Sequence, residues 1–418
     1  MESGLLLLKL FTENGHGSID IKILIWSVAP WLGSAYAKQG YGIAKGLKAK
    51  GYDVVYLACY GVEGGPIDLP ALPGVPIYGT PFGSMGTEII GDLIYSLRVD
   101  HVIQHFDTWQ LGDFLPSSGL GNMFTCYAPI EGDEITGATA AASSDCFIAS
   151  PSETGQKAWQ KLGVPAVWLP HGIDTSIFHP LIVSQGEMRK EFTIPEDAFV
   201  FCGVMQNNWR KNIGMQVEAF AEVSKKHEHA HLILHTALQE DPIRPQGASD
   251  LQSHINKLGI KDKVRTPQQW SLAYYPDSEI AKVYQASDVN LFATCAEGFG
   301  IPIIEAGACG VPSIVTDFSA SPEIGGNGCL TVEPAVKFLR MSPGGSAVYP
   351  DAKKLQEKME SLIEDSNLLS ELSDRALTNA QQYSWDKVIN YWDFYLKGRP
   401  QVEIQPGKIT VGKKQTGD

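Results

Sequence analysis

The stretch from Val289 to Gly310, VNLFATCAEGFGIPIIEAGACG, holds in one piece a short apolar run, a glycine-bearing turn and an apolar helix. Val289–Phe292 reads as a buried strand, and Pro302 suits the first turn of a helix, where its missing N–H is not needed. Gly298 and Gly300 leave the backbone before that helix bare, so amide N–H groups can approach an anion directly. Glu305 lies one turn into the helix, and helix side chains lean toward the N-terminus, which aims it back at the turn that begins with Glu297. Two carboxylates then flank one phosphate-accepting turn. Carboxylates are good acceptors for sugar hydroxyls, and two of them can hold two different sugar rings.

The same strand–turn–helix unit recurs along most of the chain. Residues 21–26 read as a strand, followed by a Gly-rich loop, a helix around Tyr41 to Lys50 stopped by Gly51, and a strand at Asp53–Leu57. Further strands are expected at His101–Phe106, Phe124–Ala128, Cys146–Ala149 and Ala166–Leu169. After a polar connection the pattern restarts near Pro195, with strands at Phe199–Gly203, His231–His235, Val264–Thr266, Val289–Phe292 and Ser313–Thr316 and a helix over Ile213–Lys226. Alternation of this kind is the signature of an α/β protein with open, mostly parallel, doubly wound sheets. Two Rossmann-like domains facing a central cleft are expected: residues 19–180 and 181–384, with 1–18 an extension and 398–418 a mobile tail. Trp385, Ile389, Trp392 and Leu396 fall at helical spacing and mark a helix over 385–397 with one aromatic face to bury.

Composition narrows the class. A chain of 418 residues exceeds one ordinary core, and 44% hydrophobic with 19% charged residues is a globular balance. The net charge of −14 disfavours long-range attraction to nucleic acid or an anionic membrane. Seven cysteines without a paired or zinc-like spacing read as reduced thiols, and no stretch has the length or the leader pattern of a membrane span or signal peptide. A cytoplasmic protein is expected, with peripheral membrane contact left open for residues 1–18.

Four further constellations sit where strands hand over to loops. Arg210 and Lys211, after the strand ending at Gly203, offer a planar fork and a point charge to two anionic groups at the start of a helix. Gly40 and Gly42 are read as opening the first helix, where backbone amides could meet a phosphate. His105 and Asp107 end the strand His101–Phe106 and face the cleft, with the register between them open and Asp107 the better partner for a sugar hydroxyl. Glu131 and Asp133 form a second acidic loop that could meet an acceptor, whereas His171 is read as structural. The chain has no Asp-x-Asp, the element that would hold a divalent metal against a diphosphate. No metal and no cofactor are therefore expected.

Residues 297–333, EGFGIPIIEAGACGVPSIVTDFSASPEIGGNGCLTVE, resemble the donor-site signature of the retaining glycosyltransferases of family 4, the group 1 glycosyl transferases of GT-B fold. Pro170-His-Gly-Ile-Asp174, the segment 203–212 and the Trp-bearing C-terminal helix fit the same resemblance, which covers roughly residues 20–396. It implies that Glu297 contacts the donor sugar, with His105 or Asp107 near the reaction centre, and that Glu305 binds the nucleotide ribose. The backbone of Gly298, Phe299 and Gly300, with Gly40 and Gly42, would approach the sugar and diphosphate. Arg210 and Lys211 would neutralise the diphosphate. In the family an arginine follows the strand glycine directly, a place that Val204 holds here, so Arg210 takes that part. The resemblance further implies that helix 385–397 returns to the first domain, and that this domain takes the acceptor.

The implied reaction is retaining, metal-independent transfer of a hexosyl group from a UDP- or GDP-sugar to a hydroxyl-bearing acceptor: a glycan, a lipid, a small molecule or, less favoured, a modified nucleic acid. Loops near Thr236 and Thr266 are candidates for base recognition. Two other readings fit the same residues, a non-catalytic nucleotide-sugar-binding subunit and a nucleotide-sugar epimerase of the same fold.

Overall fold

The computed structural model describes residues 21–108, 121–135, 146–181, 184–239, 247–266, 275–339 and 345–399, and the backbone of 402–405 and 408–411. Two sheets dominate it. The first contains β1 (Lys22–Val28), β2 (Asp53–Cys59), β3 (Gly64–Ile67), β4 (Ile77–Gly79), β5 (His101–His105), β6 (Phe124–Tyr127), β7 (Phe147–Ser150) and β8 (Ala166–Trp168), in the order β3-β4-β2-β1-β5-β6-β7-β8. All pairs are parallel except β3–β4. The central strands are near-continuous apolar runs because helices cover both faces, and β1 (KILIWSV) is buried along almost its whole length.

The second sheet contains β9 (Phe199–Val204), β10 (Ala230–His235), β11 (Val264–Arg265), β12 (Val289–Phe292), β13 (Ser313–Thr316) and β14 (Cys329–Val332), all parallel, in the order β11-β10-β9-β12-β13-β14. Beyond it, β15 (Pro334–Leu339) and β16 (Ser346–Pro350) pair as an antiparallel hairpin that the sequence pattern does not announce. A second small hairpin, Val402–Gln405 with Lys408–Val411, lies within the stretch expected as a tail.

The first helix begins earlier than the sequence reading places it. It spans Ala35–Ala49, and the Ser34 hydroxyl caps it by accepting from the Ala37 amide at 3.1 Å. Gly40 and Gly42 therefore lie inside the helix rather than opening it. A Cβ on Gly40 would fall 2.3 Å from the Tyr56 hydroxyl, and one on Gly42 would fall 2.0 Å from the Trp385 ring. Their smallness serves close packing. Gly42 and Gly46 let the helix Trp385–Lys397 lie against this one, with Gly46 meeting Ile389. Trp392 then reaches the first sheet, its ring 5.0 Å from Tyr127. The chain has crossed back from the second domain to cap the first.

The carboxyl ends of the two sheets face each other. A Cβ on Gly298, in the loop after β12, would sit 2.5 Å from Cβ of Pro129, in the loop after β6. The cleft is therefore closed at this point, backbone against backbone. In open α/β sheets such ends are where ligands bind.

Candidate active site

The turn after β12 is built around Glu297. Its backbone N–H donates to Ser319 Oγ at 2.8 Å, and Gly300 takes φ +98°, a conformation that glycine adopts without strain, to start the helix Ile301–Ala308. The Glu297 carboxylate is buried, and its Oε1 receives both Lys211 Nζ and Arg210 Nη1 at 2.7 Å. Burial alone would raise its pKa, but Arg210 and Lys211 outweigh that and hold it below the ordinary glutamate value. The two cations come from a single 3-10 turn, Trp209–Lys211, started by Asn208, whose side chain accepts from the Lys211 amide at 3.2 Å. Val204, buried at the end of β9, contributes packing at the place where the resemblance expects a cation.

Arg210 spans both domains. Its Nη2 meets Glu131, from the loop after β6, at 2.8 Å, and its Nη1 also donates to the Ala296 carbonyl at 2.6 Å. Burial works against its charge, but Glu131 and Glu297 together raise its pKa above the ordinary arginine value. Asp133 is placed differently from Glu131. It binds Lys337 Nζ of β15 at 2.6 Å and accepts from the Ser346 amide at 3.2 Å. That carboxylate ties the loop to the β15–β16 hairpin.

Glu305 closes the other end of the turn. It is buried, with Oε1 3.1 Å from Lys38 Nζ and Oε2 accepting from the Tyr284 hydroxyl at 3.2 Å. Burial raises its pKa, Lys38 opposes, and Asp277 adds to the rise, so the net displacement is upward. Lys38, one turn into the Ala35–Ala49 helix, also pairs with Asp277 at 2.6 Å. A cavity of about 1250 Å³ runs between the domains here, lined among others by Trp31, Lys38, Asp174, Tyr275, Ile301 and Glu305. Lys38, Asp277, Tyr284 and Ser319 escape the sequence reading. Ser34 was the available signal, because a helix capped there puts Lys38 in its first turns, facing the cleft.

Between the two glutamates and the first sheet lies a buried aromatic cluster. The His105 ring is 4.8 Å from Tyr36 and from Tyr127 and 5.5 Å from His171, and Phe299 stacks edge-on with His171 at 4.9 Å. Among the described residues, neither His105 nitrogen has a side-chain hydrogen-bond partner. Burial pushes the His105 pKa down to about 3, only partly offset by the Tyr36 backbone, so the ring is neutral at ordinary pH. His171 accepts from or donates to the Tyr127 hydroxyl at 2.6 Å and packs in the interdomain turn. Asp107 accepts from the Tyr36 hydroxyl and is brought to the same end of β5 as His105. Of the two candidates for base recognition, Thr236 is buried at the end of β10 and Thr266 is exposed beyond β11. Among the described residues, no group of three or more His, Cys, Asp or Glu side chains is arranged to hold a metal ion.

Two Rossmann-like domains meeting over a glycine turn with an acidic residue at each end define a GT-B protein. Residues 184–382 match the family described as "Glycosyl transferases group 1". This match lies within the second domain and spans just under half of the chain. The chain is 27% identical over 115 residues to the O-antigen chain mannosyltransferase B of Escherichia coli, a match covering 28% of this chain and 26% of that protein. It is 24% identical over 221 residues to the D-inositol 3-phosphate glycosyltransferase of Segniliparus rotundus, covering 52% and 43%. The matched stretches thus span less than half of either relative. Similar solved structures include the sucrose-phosphate synthase of Thermosynechococcus elongatus, with TM-score 0.68, 16% identity and coverage of 90% and 98%. Another is HepE of Anabaena in complex with UDP and glucose, with TM-score 0.66, 15% identity and coverage of 90% and 99%. Likeness at this identity concerns the GT-B fold.

Proposed function

We propose that this chain is a retaining glycosyltransferase that moves a sugar, a hexose in this reading, from a nucleotide-diphosphate sugar to a hydroxyl-bearing acceptor without a metal ion. One observation carries the reading: Glu297, Arg210 and Lys211 converge within 2.7 Å at the start of the glycine turn, while Glu305, at its far end, opens into the interdomain cavity. Two fixed cations and the N-terminus of the Ile301–Ala308 helix suit a departing diphosphate, whose charge grows as the bond to the sugar breaks. A carboxylate kept ionised beside them suits the cationic sugar that forms at the same moment. Glu305 is the acceptor for ribose hydroxyls. UDP and glucose in the similar HepE structure support a sugar nucleotide as donor, and the mannosyltransferase and the D-inositol 3-phosphate glycosyltransferase among the relatives support glycosyl transfer.

No helix among the described residues is long and apolar enough to cross a membrane. All seven cysteines are free, which supports a reducing compartment and hence the cytoplasm.

Calorimetric titration with UDP-, GDP- and ADP-sugars tests the donor site, with Glu305→Ala as control. One donor should bind, and Glu305→Ala should weaken it about tenfold or more, the loss of charge-assisted hydrogen bonds. Undiminished binding by Glu305→Ala refutes the ribose assignment. NMR of the product formed in excess chelator should show transfer with retained anomeric configuration. An epimerised nucleotide sugar in the absence of acceptor would replace the transferase reading, as would binding without turnover across an acceptor screen.

A further inference from the structure

Lys38 is the one cation that the first domain sends to the nucleotide end of the cleft among the described contacts of Glu305. It comes from the Ala35–Ala49 helix, and its partners Glu305 and Asp277 both belong to the second domain, as does Tyr284, whose hydroxyl donates to Glu305. Lys38 Nζ lies over the Phe178 ring, 5.9 Å from its centroid, and Lys38 and Glu305 line the same cavity.

We propose that Lys38 is a positioning residue for donor recognition: it neutralises and orients Glu305 from the opposite domain, and thereby couples recognition of the ribose to closure of the cleft. The inference rests on the reading of Glu305 as the ribose acceptor. The geometry behind it concerns lone pairs. An ionised carboxylate has about four acceptor sites. Lys38 takes one on Oε1 and Tyr284 takes one on Oε2, which fixes the plane of the group and leaves one site on each oxygen for two ribose hydroxyls. Lys38 can yield part of its hold on Glu305 as the ribose binds, because Asp277, at 2.6 Å, is the nearer partner and keeps the ammonium paired.

Every charged or titratable group around Glu305 acts on the same equilibrium. Asp277 and Tyr284 reach it from the helix Asp277–Gln285, and Cys309 lies one turn along its own helix. His235 at the end of β10 faces Lys38 and is pushed down to about 4 by burial and by that lysine, so it brings no charge at neutral pH. Lys38 is thus the largest influence that favours the carboxylate against burial, and the Tyr284 hydroxyl adds to it. Its own charge is secure: burial disfavours it, but Glu305 and Asp277 outweigh burial and raise it above ordinary lysine.

The test measures the affinity of UDP, GDP and ADP by calorimetry from pH 6 to 9, for the parent, Glu305→Gln, Lys38→Met and Lys38→Arg. The nucleotide that binds the parent most tightly is the probe, and thermal unfolding confirms that each variant is folded. Glu305→Gln should weaken the probe about tenfold at every pH, which upholds the ribose reading independently of Lys38. Lys38→Met should weaken it about tenfold at pH 7 and recover most of the loss by pH 9, because an opposite charge this near holds a carboxyl down by about 1–3 pH units. Lys38→Arg should stay within about threefold of the parent. With transfer assayed, KM for the donor should move more than kcat. Parent-like binding by Lys38→Met alongside a weakened Glu305→Gln overturns the inference alone, and so does a Lys38→Met loss that is the same at every pH. Parent-like binding by Glu305→Gln, or no binding of any nucleotide by the parent, overturns the ribose reading as well.

Discussion

Glu297 and Glu305 are the same residue type, almost equally buried, at the two ends of one turn. Their surroundings are opposite. Glu297 receives two cations on one oxygen, and its pKa is held down. Glu305 receives one lysine that it shares with Asp277, and its pKa is displaced upward. The difference teaches that position in a signature does not fix chemistry. On the proposed reading, one end of the turn would keep a charge through a change in the ligand's charge, and the other would offer hydrogen bonds to neutral hydroxyls.

The sharpest way to break this comparison is Glu297→Gln. The amide keeps the shape and loses the charge, so kcat should fall by about 10²–10³, the range seen when one preorganised electrostatic contact to a transition state is removed. Donor affinity should not weaken, since Arg210 and Lys211 then lack a competing anion. Steady-state kinetics against donor titration separates the two quantities. A loss confined to donor affinity would erase the distinction between the two ends.

A second effect concerns the neutral ring beside the sugar end. His105 titrates at about 3 in the folded protein and at about 6.5 in an unfolded chain. The unfolded state therefore binds the extra proton first, so stability is full above pH 6.5 and is lost as pH falls toward 3, by about 1.4 kcal/mol per pH unit from this group. The other buried histidines act in the same direction. His105→Phe should thus show a shallower loss of stability between pH 6.5 and 4 in urea unfolding. Equal slopes would mean that the ring is not buried neutral.

The contrast also shows which features are readable without coordinates. Val289–Phe292, the turn and the helix from Ile301 are contiguous, so apolar runs, two glycines and a proline suffice to place them. Arg210 and Lys211 were legible as a pair after a strand for the same reason. What joins them to the rest is not local: Lys38 and Glu305 are 267 residues apart, and Lys337 and Asp133 are 204 apart. No periodicity encodes such pairings. Gly40 and Gly42 misled for a different reason, because glycine marks both bare turns and tight helix contacts, and only the Trp385 ring tells which applies. The β15–β16 hairpin was illegible because β15 leaves nearly all of its side chains exposed, and β16 buries only a short run, Ser346 to Val348, before the exposed Tyr349.

The smallest expected effect asks whether the first domain competes with the donor at the sugar end as Lys38 assists it at the other. Arg210 holds Glu297 with one nitrogen and Glu131 with the other, so with Lys211 the cluster has two positive and two negative groups. A diphosphate entering it must share Arg210 with Glu131, whose side chain is a quarter exposed and can turn to water. Glu131→Gln removes the competing charge and keeps an amide oxygen to accept from Arg210, so the mostly buried guanidinium retains a hydrogen-bond partner. The donor should then bind about two- to fivefold more tightly, with the gain shrinking in 0.5 M salt as the exposed charge is screened. Unchanged affinity at both salt concentrations would mean that Arg210 keeps Glu131 throughout, and that its second nitrogen serves the contact between domains rather than the donor.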